Sequence, residues 1–293
     1  MNNSEQQKIN NSIVINSHNK PVGQYFHLAA IISFLLTYGV SGCFNTGLAT
    51  DPANRTNEDS HALHIHFISG SNEYHSEPYM KALKEELEND FRGIKVTATW
   101  AEDRGDDLPD IELLAEADLL IVFSRRTTVP EDQLAYIHQH FEAEKPVVGL
   151  RTASHAFQNI PEFDNAILGG NYSGHGGDEP GEITIAEGAE EHPVLDGITP
   201  WLRYSKIYKN PDLDEKSPNA EILLYIEGLR SGLYEPVAWT NFYGENGRAF
   251  YTSMPVPVSP GRPTGDFESE NYRQLLFNAI EWVTGQDLQR TTN

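Results

Sequence analysis

Residues 117–157 read ADLLIVFSRRTTVPEDQLAYIHQHFEAEKPVVGLRTASHAF, and three local patterns follow one another inside them. Ala117 to Ser124 is almost continuously apolar, as a strand buried on both faces of a parallel sheet should be. Pro130 to Ala143 then places Leu134, Ile137 and Phe141 on one side, and Pro130 at the first turn suits a helix start. Pro146 to Leu150 is a second short apolar run. Gly149 loosens its end, and Arg151, Thr152, Ser154 and His155 crowd in behind it. A strand, a helix and a strand closed by a polar turn form the repeating unit of an α/β sheet.

The same alternation continues upstream. Ala62 to Ser69 (ALHIHFIS) and Ile94 to Ala101 (IKVTATWA) read as strands. Glu77 to Phe91 reads as a helix with Met80, Leu83, Leu87 and Phe91 on one stripe. The pattern predicts a doubly wound α/β fold. Downstream the elements shorten. Glu182–Glu187, Leu202–Lys209, Glu221–Glu227, Val237–Asn241 and Arg248–Ser253 read as strands that either extend the sheet or form a small accessory sheet at its edge. A last helix is expected from Ser269 to Val283, with Glu268 and Glu270 near its positive end.

Bulk composition narrows the partners. The 293 residues carry 21 Lys plus Arg against 43 Asp plus Glu, a formal net charge of −22. That balance argues against nucleic acid, whose phosphates demand a basic footprint. A hydrophobic fraction of 39% suffices for a packed core. One cysteine, Cys43, excludes an internal disulfide and a cysteine-rich zinc site. It ends an apolar run, Leu28 to Val40, that is too short for a membrane span. Val40-Ser41-Gly42-Cys43 resembles a bacterial lipobox. Residues 1–42 are therefore expected to be a lipoprotein-type signal peptide, with Cys43 lipidated and the chain exported and held at a membrane through that anchor only. Residues 43–60 read as a flexible tether, 61–285 as one folded domain, and 286–293 as a tail.

Ligands of open parallel sheets collect at the carboxyl ends of the strands, and those segments are polar here. Gly70-Ser71-Asn72-Glu73-Tyr74-His75 follows the first strand, Arg125-Arg126-Thr127-Thr128 the third, and Arg151 to His155 the fourth. A glycine-rich loop from Gly169 to Asp178 comes next. Ser76 is equally readable as a helix cap. His75, His155 and His175 lie on three different loops, where an imidazole serves as an acid or base. Their spacing is too irregular for a metal frame, and nothing indicates a cofactor. His64 and His66 share one strand face and read as part of it; His192-Pro193 marks a turn. The elbow lacks the G-x-S-x-G frame of a serine nucleophile.

The runs SNEYHSEPYMKALKEEL, PVVGLRTASHAF, GGNYSGHGGD, EHPVLDGI, EPVAWTNFYGENGRAFYTS and NYRQLLFNAIEWVTG resemble the ThuA-like (trehalose utilisation) family, in order, over roughly residues 62–285. The resemblance implies a class I glutamine-amidotransferase-like fold, a flavodoxin-like three-layer α/β/α sandwich, and a role in carbohydrate metabolism through oxidised sugars. It also implies that the amidotransferase thiol position falls near Arg151-Thr152, so glutamine hydrolysis by a thiolate is excluded. Relatives continue FYTS with Leu-Gly-His, where this chain has Met254-Pro255-Val256-Pro257-Val258.

The expected function is action on a small sugar or keto-sugar without a cysteine nucleophile, by a hydrolase or lyase route. His155, His175 and Arg151 are the expected catalytic residues. Glu73, His75, Arg125, Arg126, Ser154, Asn171 and Asp178 are expected to bind substrate. The rival expectation is a non-catalytic carbohydrate-binding or scaffold lipoprotein on the same fold.

Overall fold

Five parallel strands carry the apolar runs of the first half and one from near the end of the chain. In the computed structural model, which describes residues 62–260 and 265–291, these are β1 (Leu63–Gly70), β2 (Ile94–Trp100), β3 (Leu119–Ser124), β4 (Val147–Leu150) and β9 (Gly247–Thr252). They run in the order β2-β1-β3-β4-β9, the flavodoxin-like order of a class I glutamine-amidotransferase-like sandwich. The sheet then continues through β8 (Tyr234–Tyr243), β7 (Ala220–Gly228), β5 (Gly174–Ile185) and β6 (Trp201–Lys209), all antiparallel to their neighbours. Of the two arrangements open for the second half, the structure has the extended nine-stranded sheet.

Side chains alternate along each strand, so one sheet feeds two cores. Leu119, Ile121 and Phe123 of β3 pack on the side covered by α1 (Ser76–Asp90) and α4 (Glu270–Thr284). Leu120 and Val122 face the opposite layer, built from α2 (Glu131–Glu142) and a 3-10 segment, Ile111–Glu116. The α1 stripe is buried as its spacing requires, through Met80, Leu83 and Leu87; each such side chain contributes roughly 1.5–3 kcal/mol. A one-turn helix, α3 (Leu213–Lys216), precedes β7. Ser269 caps α4, its side chain accepting from the Tyr272 N–H, and Gly285 closes the helix in the left-handed region at φ 66°.

Several local expectations need correcting. Gly149 keeps an ordinary strand conformation; it is glycine because a Cβ there would lie 2.9 Å from Leu168 and 3.0 Å from Tyr251. Half of the segment read as a glycine-rich loop is strand, since β5 starts at Gly174 and bulges between His175 and Asp178. Ser76 does not cap α1. It is the first residue of the helix, and its Oγ accepts from the Ser71 N–H at 2.7 Å and from Ser69 Oγ at 3.0 Å, tying the turn after β1 to the helix. Residues 286–291 return to the domain, with Arg92 N–H donating to Gln289 O and the Arg290 guanidinium over the Phe91 ring. The signal peptide, Cys43 and the tether lie outside the described residues. Among the described residues no helix is long and apolar enough to cross a membrane.

His64 and His66 do belong to a strand face, but a polar one. His66 Nδ1 meets Thr97 Oγ1 at 2.9 Å and its Nε2 meets Thr99 Oγ1 at 3.1 Å, while His64 Nε2 shares Thr97 at 2.9 Å. Burial pushes His66 down to about 3 and His140 of α2 down to about 4, and His155 falls to about 3. These rings are neutral when folded and titrate near 6.5 when unfolded, so acidification below 6.5 favours unfolding. Asp164, raised by burial to about 6, acts in the opposite direction. Near pH 5 the unfolded chain should bind about two more protons than the native one, about 3 kcal/mol per pH unit. Urea midpoints measured from pH 7 to 4.5 should fall accordingly, and His66→Gln should remove about one proton from the slope. A flat profile would contradict this.

Candidate functional site

Each of the strands β1, β3 and β4 is followed by a basic residue in the left-handed region: His75 at φ 53°, Arg126 at φ 54° and Arg151 at φ 49°. This conformation costs a residue with a Cβ about 1–2 kcal/mol, and such strain concentrates at functional sites. The turns are laced together. Arg125 N–H donates to Gly70 O at 3.1 Å, Arg126 N–H to His155 O at 2.9 Å, and Arg151 N–H to Met254 O at 3.0 Å. The loops after β1 and β3 border the point where the strand order reverses, the usual ligand position in such sheets. One rim is the result.

Arg151 is the apex of the elbow and is fully buried. Its guanidinium lies 3.9 Å from the Tyr208 ring centre and 4.6 Å from that of Tyr74. Nη1 donates to Ser253 O at 2.6 Å, and Nη2 to Lys206 O at 3.1 Å and Tyr74 Oη at 3.3 Å. Tyr251 Oη pins the Arg151 carbonyl at 2.7 Å. Nε has no partner. Burial disfavours the charge, but Tyr208 and Tyr74 outweigh it and hold Arg151 above the ordinary arginine value. Burial would likewise raise the Tyr74 phenol; Arg151, Tyr208 and Lys206 carry it below the usual tyrosine value. Arg151 thus supports the site from beneath, where the sequence led us to expect direct contact with substrate.

His155 sits one turn further on and is half-buried. Its ring stacks on Tyr172 at 4.7 Å with an 18° interplanar angle, and Tyr208 lies 6.1 Å away. Ser154 Oγ meets His155 Nδ1 at 3.1 Å, so this serine orients the imidazole. Burial, then the charges of Arg126, Arg125 and Arg151, hold His155 at about 3. The ring is neutral at pH 7, a proton acceptor under three cations. His175, on exposed β5, stacks against the other side of the cluster, 6.2 Å from Tyr208, and its Nδ1 is 2.8 Å from Gly176 O.

Arg125 is engaged with two carboxylates, Asp103 at 3.2 Å and Glu73. Glu73 also takes Lys206 at 3.1 Å, which ties the β1 turn to β6. Arg126 is exposed. Asn171 turns away, its side chain donating to Pro211 O and its N–H to Asn210 Oδ1. Asp178 is exposed on β5 in register with Lys206. His75 faces a different place, a 470 Å³ groove between α1 and α4 lined also by Tyr79, Phe267 and Phe277. That groove lies off the strand-end rim. The strained turns and the buried arginine converge at the rim, which makes it the candidate site.

Tyr74, Tyr172, Tyr208, Lys206 and Asp103 were missed as site residues in the sequence. Tyr208 lies on β6, where alternation puts it on the face of Leu202 and Lys206, and Tyr74 stood unremarked between Glu73 and His75. Among the described residues no cluster of three or more His, Cys, Asp or Glu is placed to hold a metal. The strained turn supplies a prediction. Arg126→Gly removes the Cβ penalty and should stabilise the fold by about 1 kcal/mol, read as a higher urea midpoint. An unchanged or lower midpoint would mean the side chain earns its conformation through contacts.

The model of the family described as ThuA, trehalose utilisation, matches residues 65–283. Among solved structures, a ThuA-like protein from Parabacteroides merdae superposes with a TM-score of 0.58 at 19% identity, over 78% of this chain and 92% of that one. A second, from Bacteroides uniformis, gives 0.54 at 20% identity, over 80% and 96%. At these identities the likeness shows the fold. No curated protein matches the sequence significantly. With a family match across well over half its length, the chain belongs to the ThuA family.

Proposed function

We propose that this protein acts on a small sugar or keto-sugar derivative, with His155 as the proton-transfer group and without a covalent cysteine intermediate. The observation that carries the reading is the stack of His155 on Tyr172 beside Tyr208, at the carboxyl ends of the parallel strands and beneath a group of arginines. Flat aromatic faces suit the apolar faces of a sugar ring, and guanidinium groups suit its oxygens. The family's association with trehalose utilisation supports the same substrate class.

For a keto-glycoside the step runs as follows. Neutral His155 takes the proton from the carbon next to the carbonyl. The electron pair of that C–H bond forms the enolate, whose oxygen develops its charge near Arg126 and in the field of Arg125 and Arg151. Collapse of the enolate forms a carbon–carbon double bond and breaks the glycosidic C–O bond β to the carbonyl; the leaving oxygen takes a proton from His175, which solvent restores, while His155 releases to solvent the proton it took. Later addition of water to the double bond converts this lyase step into net hydrolysis. Burial first and the neighbouring cations second hold His155 at about 3; the enolate offsets the cations, so the ring becomes a better base as charge develops. His175 is the second imidazole of the cluster and the candidate donor to the leaving oxygen. Arg151 is a positioning residue in this scheme.

The site is proposed to work outside the cytoplasm on a lipidated Cys43, on the strength of the Val40-Ser41-Gly42-Cys43 pattern. Cys43→Ser should abolish fatty-acid labelling and release the protein from the membrane fraction; unchanged labelling would end that reading. For the chemistry, a panel of 3-keto-glycosides and their parent glycosides is incubated in D₂O. Turnover of the keto forms is expected, with deuterium entering beside the carbonyl. Binding without exchange or turnover across the panel would favour the carbohydrate-binding rival.

A further inference from the structure

Cations gather at the rim although the chain as a whole is strongly acidic. The chain carries −22 overall, yet Arg125, Arg126, Arg151 and Lys206 meet around one aromatic stack. Their carboxylate partners are unevenly shared. Glu73 and Asp103 are both spent on Arg125, and Glu73 also on Lys206. Asp178, exposed on β5, lies in register with Lys206. Asp164 is half-buried and accepts the Tyr172 N–H at 2.9 Å.

Two guanidinium groups are left without a carboxylate. Arg151 is fully buried, bonded only to two carbonyls and a phenol, with Nε unpartnered. A buried cation without a counter-charge is costly unless something supplies one. Arg126 is exposed next to the His155 ring, and its side chain has no hydrogen bond or ion pair among the described residues. Its backbone is held at φ 54° all the same. A neutral sugar brings no charge of its own to these two guanidinium groups before any chemistry occurs, whereas an anionic one does.

We infer that the sugar taken by this site carries an oxyanion, a carboxylate as in a uronic or aldonic acid or a phosphate ester, contacted by Arg126 while Arg151 holds positive charge beneath it. This rests on the sugar reading under Proposed function and narrows it. The chain's acidic excess repels such ligands, and Arg126 and Arg151, the two rim cations without a carboxylate, are what draws them to the rim.

The test is calorimetric titration of the full chain with glucuronate, gluconate, glucose 6-phosphate, glucose and inorganic phosphate, at low and high salt. Sugar anions should bind at least about tenfold more tightly than glucose at low salt, with the advantage shrinking as salt rises. Arg126→Asn, which tolerates the left-handed turn, should erase that advantage, weakening the sugar anions at least about fivefold more than it weakens glucose; Arg126→Lys should retain part of it. The ratio of glucuronate to glucose 6-phosphate tells which oxyanion is read. Glucose binding as tightly as the anions, an anion preference surviving Arg126→Asn, or inorganic phosphate binding as tightly as the sugar anions would overturn the inference. Failure of every sugar, charged or neutral, would instead overturn the sugar reading on which it rests.

Discussion

Alanine at position 155 is expected to lower turnover of a keto-glycoside by about 10²–10⁴-fold, the usual contribution of a positioned acid or base. The fold should survive, because the imidazole is half-buried and its contacts are one hydrogen bond to Ser154 and the stack on Tyr172. The loss should fall on kcat more than KM, since the arginines and tyrosines that hold the ligand remain. The pH profile is the sharper part of the expectation. An ordinary histidine base would impose an acid limb near 6.5 on kcat/KM, whereas His155 is held at about 3. Activity should therefore stay level on acidification until the protein itself gives way. An acid limb near 6.5 that disappears in His155→Ala would show an imidazole in a more open setting than this one.

Asp266→Ala is expected to cost about 3–5 kcal/mol of stability, the range for stranding one member of a buried ion pair. Asp266 accepts two parallel bonds from Arg203, at 3.0 and 2.6 Å, and both side chains are buried. It also accepts the Val256 N–H at 2.9 Å, and its own N–H returns to Val256 O at 2.9 Å. The pair clamps β6 to the segment after β9, whose Ser253 and Met254 carbonyls accept from Arg151. Replacing both partners, Arg203→Met with Asp266→Leu, should recover most of the loss, because the unpaired charge is then gone. A loss below about 1 kcal/mol in the single variant would mean that water reaches Arg203 and screens it.

The parallel half of the fold was legible because its signals are local. Leu119 to Phe123 is apolar on both faces, and Met80, Leu83 and Leu87 recur at helical spacing; burial then fixes the layers. The second half was legible as strands but not as an arrangement. Nothing local to Glu221–Glu227 or Arg248–Ser253 states which neighbour it pairs with or in which direction, and β9 joins the parallel set only through contacts with β4 far back in the chain. The site divides along the same line. Arg125, Arg151 and His155 were found because polar residues at strand ends are conspicuous. The burial of Arg151 was not, since a charged residue on a turn reads as exposed until two tyrosines from distant elements close over it. Tyr208 carried no signal within its strand, and it is buried with its ring against the guanidinium. Asn171 looked like a ligand contact because it lies in a glycine-rich stretch, and its amide turns out to hold Pro211 instead.

The most direct measurement is a crystal structure of the protein with a sugar ligand bound, from the neutral and anionic compounds titrated above. The ring should lie against the His155–Tyr172 stack, within reach of the Arg126 guanidinium, with Arg151 still enclosed by Tyr74 and Tyr208. A ligand found only in the groove between α1 and α4, against Tyr79, Phe267 and Phe277, would contradict the placement of the site at the strand ends.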